Sequence, residues 1–285
     1  MPEGDTIFRS ARTLNRALSG KAVTGFRSTY PLLTRFHDNT PLTGQIVESV
    51  ESRGKWLLMH FSGGGILATH MLMNGSWHIY RPGERWKAPG GDMRIVVETG
   101  DFQAVGFRVP VAEMLDARKL ARDRRIPPAA SDVLGSGFDE EGAVRGLMAQ
   151  GDLELGDALL RQKILAGVGN VFKSEVCFLT GLNPFRTVET LTEAQVRAVV
   201  AMARKQLGAN VLEDSGNAIV TYQGRKRRTT NQSDPSENLW VYARKGQACR
   251  RCGTLIRRRL QGKDARSTYW CPGCQPTPDG REIDG

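Results

Sequence analysis

Apolar residues near the start of the chain recur at helical spacing. Ile7, Ala11, Leu14 and Leu18 share one face, which predicts a helix from Thr6 to Leu18, ended by Gly20 and with Asp5 as its N-cap. From Lys21 to about Leu115 the period shortens. Short apolar runs, among them Gln45–Val50, Trp56–Phe61, Ile66–Thr69, Ser76–Tyr80 and Arg94–Glu98, are broken by Gly and Pro, the pattern of an antiparallel β-sandwich. Ala117–Gly137, with Pro127-Pro128 and many small residues, reads as an interdomain linker. Helical spacing returns from Asp139 to about Leu207. Within it, Leu155–Leu165 and a second helix beginning at Asn170 flank the glycine turn Ala166-Gly167-Val168-Gly169. Val171, Phe172, Val176, Phe178 and Leu179 fill the apolar positions of that second helix, and Asn170 is expected to cap it.

Glu213–Asn238 is polar and reads as a mobile loop, after which Leu239-Trp240-Val241-Tyr242 re-enters structure. Strand-like Thr254–Leu260 and Ser267–Trp270, joined by the turn Gln261–Asp264, predict a hairpin. The residues after Gln275 are rich in Pro, Asp and Gly and are expected to be disordered. The fold class is therefore α+β and multidomain. A β-sandwich domain is expected over 1–130, a helical domain over 131–245, a zinc hairpin over 246–275 and a tail over 276–285.

Length and charge narrow the function. The 285 residues suffice for two separate cores, and no apolar stretch approaches a membrane span. Met1–Asp5 carries acid rather than base and has no apolar run, so no leader is expected and the cytoplasm is the expected compartment. The net charge is +10, and its placement is informative. Between Thr221 and Gln275 thirteen Lys or Arg stand against Asp234, Glu237 and Asp264, so this stretch holds the entire excess. Solvated faces usually mix both signs; one sign concentrated in this way is the footprint of a nucleic-acid surface.

The chemistry lies at the two ends. Cys249-x-x-Cys252 and Cys271-x-x-Cys274, with eighteen residues between the inner pair, have the spacing by which two tight turns offer four thiolates to one Zn²⁺. In an exported protein the same cysteines would form two disulfides. Cys177, on an apolar helix, reads as a buried thiol and not as a fifth ligand. At the other end, removal of Met1 would leave Pro2 as a secondary amine beside the carboxyl of Glu3. An α-amino group titrates near 7.7–8.0, so part of it is an uncharged nucleophile at neutral pH. Read alone, Pro2 and Glu3 equally begin any chain. Lys55, in Arg53-Gly54-Lys55, is expected at a sheet edge, where a lysine also blocks edge pairing. Met73, in His70-Met71-Leu72-Met73-Asn74-Gly75, is either core or the tip of a loop.

Four motifs in this order resemble the formamidopyrimidine-DNA glycosylase / endonuclease VIII family: the Met-Pro-Glu-Gly start, Arg-Gly-Lys, Gln-Lys-x-x-Ala-Gly-Val-Gly-Asn from Gln162, and the hairpin ending Arg266-Ser267-Thr268-Tyr269-Trp270-Cys271-Pro272. The resemblance implies an N-terminal β-sandwich, a helix–two-turn–helix domain and a structural zinc hairpin. It implies a monomeric base-excision repair enzyme that acts on damaged DNA, removing a base and then cutting the strand. By the same resemblance Pro2 is the nucleophile, Glu3 the proton donor and Lys55 an assisting lysine. Asn170 and Arg266 grip phosphates, Lys163 belongs to the DNA-binding set, and Met73 is a wedge that fills the space of the flipped nucleotide. The chain departs from many endonuclease VIII members at Gly4-Asp5-Thr6, where they read Gly-Pro-Glu. The arginine and phenylalanine completing the wedge of formamidopyrimidine glycosylases have only Phe107 and Arg108 as counterparts. The resemblance thus leans to the endonuclease VIII branch and to oxidised pyrimidines. A formamidopyrimidine-type glycosylase, a DNA-binding zinc protein without catalysis and an RNA-binding protein are the alternatives.

Overall fold

A computed structural model describes residues 2–212, 219–222 and 235–277. Most of the expected loop at Glu213–Asn238, including Arg225–Arg228, and most of the tail lie outside the described residues. The chain divides into two compact units, Met1–Pro128 and Ala129–Gly285.

The first unit opens with α1 (Gly4–Leu18), whose Ile7, Ala11, Leu14 and Leu18 are buried. The helix starts two residues before the expected Thr6, and its N-cap is Glu3, not Asp5. Asp5 falls inside the first turn, where its carboxyl is buried and its Oδ2 lies 3.1 Å from an Arg9 guanidinium nitrogen. There follow β1 (Val23–Ser28), α2 (Pro31–Asn39), β2 (Val47–Arg53), β3 (Trp56–Phe61), β4 (Ile66–His70), β5 (Ser76–Tyr80), β6 (Met93–Thr99), β7 (Gln103–Phe107), β8 (Val111–Leu115) and α3 (Ala117–Arg122). The strands form two antiparallel sheets of four, ordered β1-β6-β7-β5 and β2-β3-β4-β8.

The sandwich core contains Phe26, Ile95, Val97 and Ala104 from one sheet and Val50, Leu57, Met59 and Leu67 from the other, joined by the apolar stripe of α1. Each of the larger of these side chains contributes about 1.5–3 kcal/mol by leaving water. Strand β3 is apolar at alternate positions on both faces because its other face is covered too. Trp56, Leu58, Ile66 and Ala68 form a second cluster with Leu115 and Ile126. The expected linker is therefore partly packed structure: α3 flanks β8, and Ile126 belongs to this cluster.

The second unit contains α4 (Glu140–Met148), α5 (Leu155–Ala158), α6 (Asn170–Leu179), α7 (Glu193–Ala209), β9 (Arg257–Gln261) and β10 (Arg266–Trp270). Helix α7 begins with a reciprocal capping box between Thr192 and Gln195. Its Val196, Val199, Val200, Ala203 and Leu207 pack with Leu147, Leu155, Leu165, Phe172 and Val176 in one core. The helix expected over Leu155–Leu165 is only the four residues of α5. The Gln162 side chain supplies the reason. Its Nε2 donates to the carbonyls of Leu160 (3.0 Å) and Val168 (2.9 Å), and its Oε1 accepts from the Gly167 N–H (3.1 Å). These bonds hold a compact turn in place of continued helix, and Gly167 takes φ 100° to complete it.

The hairpin pairs Gln261 with Arg266 through Arg257 with Trp270. Its turn is Gly262–Ala265, one residue later than expected, with Gly262 and Ala265 both at positive φ. A buried carboxyl fastens the approach to the hairpin. Glu175 on α6 accepts from the backbone N–H groups of Trp240 (2.8 Å), Val241 (2.9 Å) and Tyr242 (2.8 Å), and from the Thr221 hydroxyl. Among the described residues no helix is long and apolar enough to cross a membrane.

Candidate DNA-processing and metal sites

In the first unit, Pro2 precedes the first turn of α1 and is partly buried, while the next residue, Glu3, is completely buried. The Glu3 carbonyl accepts from the N–H groups of Thr6 and Ile7, both at 3.1 Å, so the terminus is fixed to the helix through main-chain bonds. Burial pushes the Asp5 carboxyl above the usual carboxylate range, and the Arg9 guanidinium opposes that shift.

Lys55 is not at a lateral sheet edge. Arg53 pairs with Trp56 across the two-residue turn Gly54-Lys55, so the lysine stands at the tip of the β2–β3 hairpin. Gly54 takes φ 60°, which such a turn requires. Trp56 pairs in turn with His70 at the end of β4, and their rings meet edge to face at 5.2 Å. Burial, reinforced by the Lys55 ammonium, pushes the His70 imidazole down to about 4. The ring is thus neutral at neutral pH. Its Nδ1 accepts from the Leu72 N–H at 3.1 Å, which leaves the proton on Nε2. No role for His70 is legible in the sequence, because only the strand register brings it beside Lys55.

The loop after His70 carries its apolar residues outward. Met71 is buried, but Leu72 and Met73 are exposed, Met73 by 61%, which rules out a core position for it. Phe107 is buried against Tyr80 and Trp86, so its ring is unable to serve as a wedge. Arg108 has φ 49° and is held by Asp92 at 2.6 Å.

In the second unit, Asn170 does not cap α6. Gly169 is the N-cap, and Asn170 is the first helical residue, buried, with Nδ2 donating to the Ser267 carbonyl at 2.7 Å. The Asn170 side chain is therefore turned toward β10, whose first residue is Arg266. Arg266 is exposed, 3.6 Å from Asp264. Lys163 is exposed, and its carbonyl accepts from the Ser131 hydroxyl at 2.6 Å.

The sulfurs of Cys249, Cys252, Cys271 and Cys274 all lie within 4.8 Å of one another. Cys249 and Cys274 are 3.8 Å apart and Cys252 and Cys271 3.4 Å apart. Four thiolates around a tetrahedral ion at about 2.3 Å would be about 3.8 Å apart, so the donor set fits a closed, structural metal site. Hydrogen bonds from Thr254 pull the Cys252 thiol down to about 6, while burial pushes Cys271 up to about 11 and Cys274 higher still. Cys177 lies apart, completely buried on α6, and burial pushes its thiol up to about 12.

Comparison with known proteins agrees with this arrangement. The family profile of the formamidopyrimidine-DNA glycosylase N-terminal domain matches residues 1–122, and that of the formamidopyrimidine-DNA glycosylase H2TH domain matches residues 130–221. A Streptomyces coelicolor protein named probable endonuclease 8 2 is 39% identical, covering 99% of this chain and 98% of its own. The Mycolicibacterium smegmatis DNA-(apurinic or apyrimidinic site) lyase Nei2 is 38% identical, covering 96% of this chain and 99% of its own. Among solved structures, Lactococcus lactis formamidopyrimidine-DNA glycosylase bound non-covalently to DNA containing an AP site superposes with a TM-score of 0.77 at 21% identity, covering 96% of this chain and 100% of that one. The matched profiles span most of the chain in the order in which its sandwich and helices occur, and the chain belongs to the formamidopyrimidine-DNA glycosylase / endonuclease VIII family of base-excision repair enzymes.

Proposed function

We propose that this enzyme removes oxidised bases, pyrimidines first, from DNA and then cuts the strand through a covalent intermediate on Pro2. The observation that carries the reading is Pro2 standing ahead of α1 beside a completely buried Glu3. Relatives of 38–39% identity named for endonuclease and abasic-site lyase activity support it. Once Met1 is removed, the Pro2 nitrogen attacks C1′ of the damaged nucleotide and the base departs with the bonding pair. The attacking nitrogen passes its N–H proton to the departing base anion. Glu3 gives its proton to the sugar ring oxygen as the C1′–O bond breaks, and the nitrogen lone pair so freed closes an iminium to C1′. The iminium acidifies the C2′ proton; its loss expels the 3′ phosphate, and water then releases the sugar fragment from Pro2. Dividing the reaction in this way replaces one hard step by several easier ones.

The remaining residues bind. A base within the stack is out of reach, so it is flipped out at a cost of a few kcal/mol. Asn170 and Arg266 hold flanking phosphates, Lys163 and Lys55 add positive charge, and the exposed Met73 fills the vacated space. The pyrimidine preference rests on Phe107 and Arg108. Phe107 is buried and the exposed Arg108 is paired with Asp92, an arrangement unlike a free insertion pair of the formamidopyrimidine glycosylases. The four cysteines hold one zinc ion, which fixes the hairpin and leaves no position for a reacting water.

Borohydride trapping tests the nucleophile. The protein with Met1 removed should form a reducible covalent complex with abasic duplex DNA through Pro2. A protein extended at its N-terminus should bind the same DNA without being trapped. Trapping by the extended protein would refute the assignment. A cleavage panel of oxidised pyrimidines and purines then decides the preference.

A further inference from the structure

Three consecutive residues of β10 are fastened to one face of α6. Asn170 Nδ2 donates to the Ser267 carbonyl at 2.7 Å, Lys173 Nζ to Thr268 Oγ1 at 2.6 Å, and the Tyr269 N–H to Ser174 Oγ at 3.3 Å. Residues three and four apart share a helical face, so α6 meets the strand along a single line. The middle bond differs from its neighbours. Both Lys173 and Thr268 are completely buried. An ammonium out of water is costly unless it is hydrogen-bonded, so a lysine kept there has a defined partner.

The bond continues inward. Thr268 Oγ1 donates to Gln261 Oε1 at 2.7 Å, and Gln261 Nε2 donates to Glu154 Oε2 and to the Pro184 carbonyl, both at 2.8 Å. The relay thus joins a cation on α6 to a carboxyl just before α5 through two neutral side chains. Gly156 leaves room for it: a Cβ there would lie 2.3 Å from Gln261 Oε1.

Arg266 is held at its neighbours. It pairs across the hairpin with Gln261, a member of the relay, and is followed by Ser267 and Thr268, both bonded to α6. Asn170 lies one helical turn before Lys173. The distance between the Arg266 backbone and the Asn170 amide is therefore set by a line of bonds whose centre, Lys173 to Thr268 to Gln261, is buried. We propose that Thr268 and Lys173 are positioning residues that hold Arg266 and Asn170 at the span of two phosphates of one DNA strand. The proposal rests on the reading of Asn170 and Arg266 as phosphate contacts.

A double-mutant cycle separates positioning from simple stabilisation. Affinity for duplex DNA carrying a tetrahydrofuran abasic analogue is measured for Thr268→Val, Arg266→Ala and the pair, with zinc content and Tm recorded for each. Thr268→Val keeps the shape of the side chain but removes its hydroxyl. It should retain zinc and weaken binding by about tenfold, the loss of roughly one hydrogen bond to a charged group. The double variant should bind little worse than Arg266→Ala alone, because a misplaced arginine has little left to lose. Thr268→Ser, which restores the hydroxyl, should bind within about twofold of the parent. Additive losses, or unchanged binding by Thr268→Val, overturn the proposal. If Arg266→Ala alone leaves affinity unchanged, the phosphate reading fails and this inference with it. Should Thr268→Val lose zinc, the cycle is run with Lys173→Met, which leaves the hairpin sequence intact; additivity there is equally decisive.

Discussion

Removing the Glu175 carboxyl is expected to release the chain leading into the hairpin. In the native structure this group, buried on α6, accepts from three successive backbone N–H groups, those of Trp240, Val241 and Tyr242, and from the Thr221 hydroxyl. Each buried N–H left without a partner costs about 1–3 kcal/mol. Allowing one of the three to find water, Glu175→Ala should destabilise by about 2–6 kcal/mol, a large share of the ~5–15 kcal/mol that holds a protein folded. The damage should be local first. Val241 shares a cluster with Phe178, Ile256 and the candidate ligands Cys249 and Cys271, so the four-cysteine site should loosen with the segment. Glu175→Gln should lie close to the alanine variant, because the amide NH₂ confronts donors where one carboxyl oxygen accepted them. Urea unfolding followed by tryptophan fluorescence reads the change directly: Trp240 stacks on Phe178 at 5.2 Å, and its indole N–H donates to the Thr221 carbonyl at 3.0 Å. Metal release to a chelator reads the second effect. A loss below about 1 kcal/mol, the net value of one ordinary hydrogen bond, with unchanged metal release would refute the reasoning.

Three further outcomes are expected. Glu3→Gln should lower base excision by roughly the 10²–10⁴ of a general acid while slowing cleavage of a preformed abasic site less; equal losses on both substrates would exclude a role in base loss. His70, held at about 4 against its ordinary 6.5, leaves the unfolded chain to take up the proton first. Its contribution is complete above pH 6.5 and is lost as pH falls toward 4. After discounting for a partly exposed ring it amounts to about 1–2 kcal/mol, and melts of the parent and His70→Gln should diverge across that window; parallel curves would contradict it. Cys177, buried with its thiol pushed up to about 12, should resist alkylation in the native protein and react only on denaturation; native labelling at Cys177 would show that α6 opens there.

How much of this was legible depended on whether a feature is local. The stripe Ile7, Ala11, Leu14 and Leu18 announced α1, and the paired cysteines announced a hairpin that gathers four thiols, because each pattern lies within a short stretch. Helix α2 was missed: it buries only Leu33 and so has no apolar stripe to find. The early end of α5 was hidden because the side chain responsible, Gln162, acts on a carbonyl six residues away and not through propensity. Lys173 and Glu175 were passed over for a related reason. Pattern reading places charges outside, whereas both are completely buried with partners far along the sequence. His70 became a site residue only when β3 and β4 were paired in register.

The two-residue turn at Gly54-Lys55 has an evolutionary consequence. The pairing of Arg53 with Trp56 and the φ of Gly54 place the lysine at the tip of the turn. Substitutions among Leu57, Met59 and Leu67 therefore alter how firmly the sheets hold together while leaving the address of the lysine unchanged. A one-residue insertion in the turn does the reverse: it leaves the core composition intact and moves the lysine. A change inside the sandwich is thus felt as stability, whereas a change in the length of this hairpin is felt as a displaced lysine.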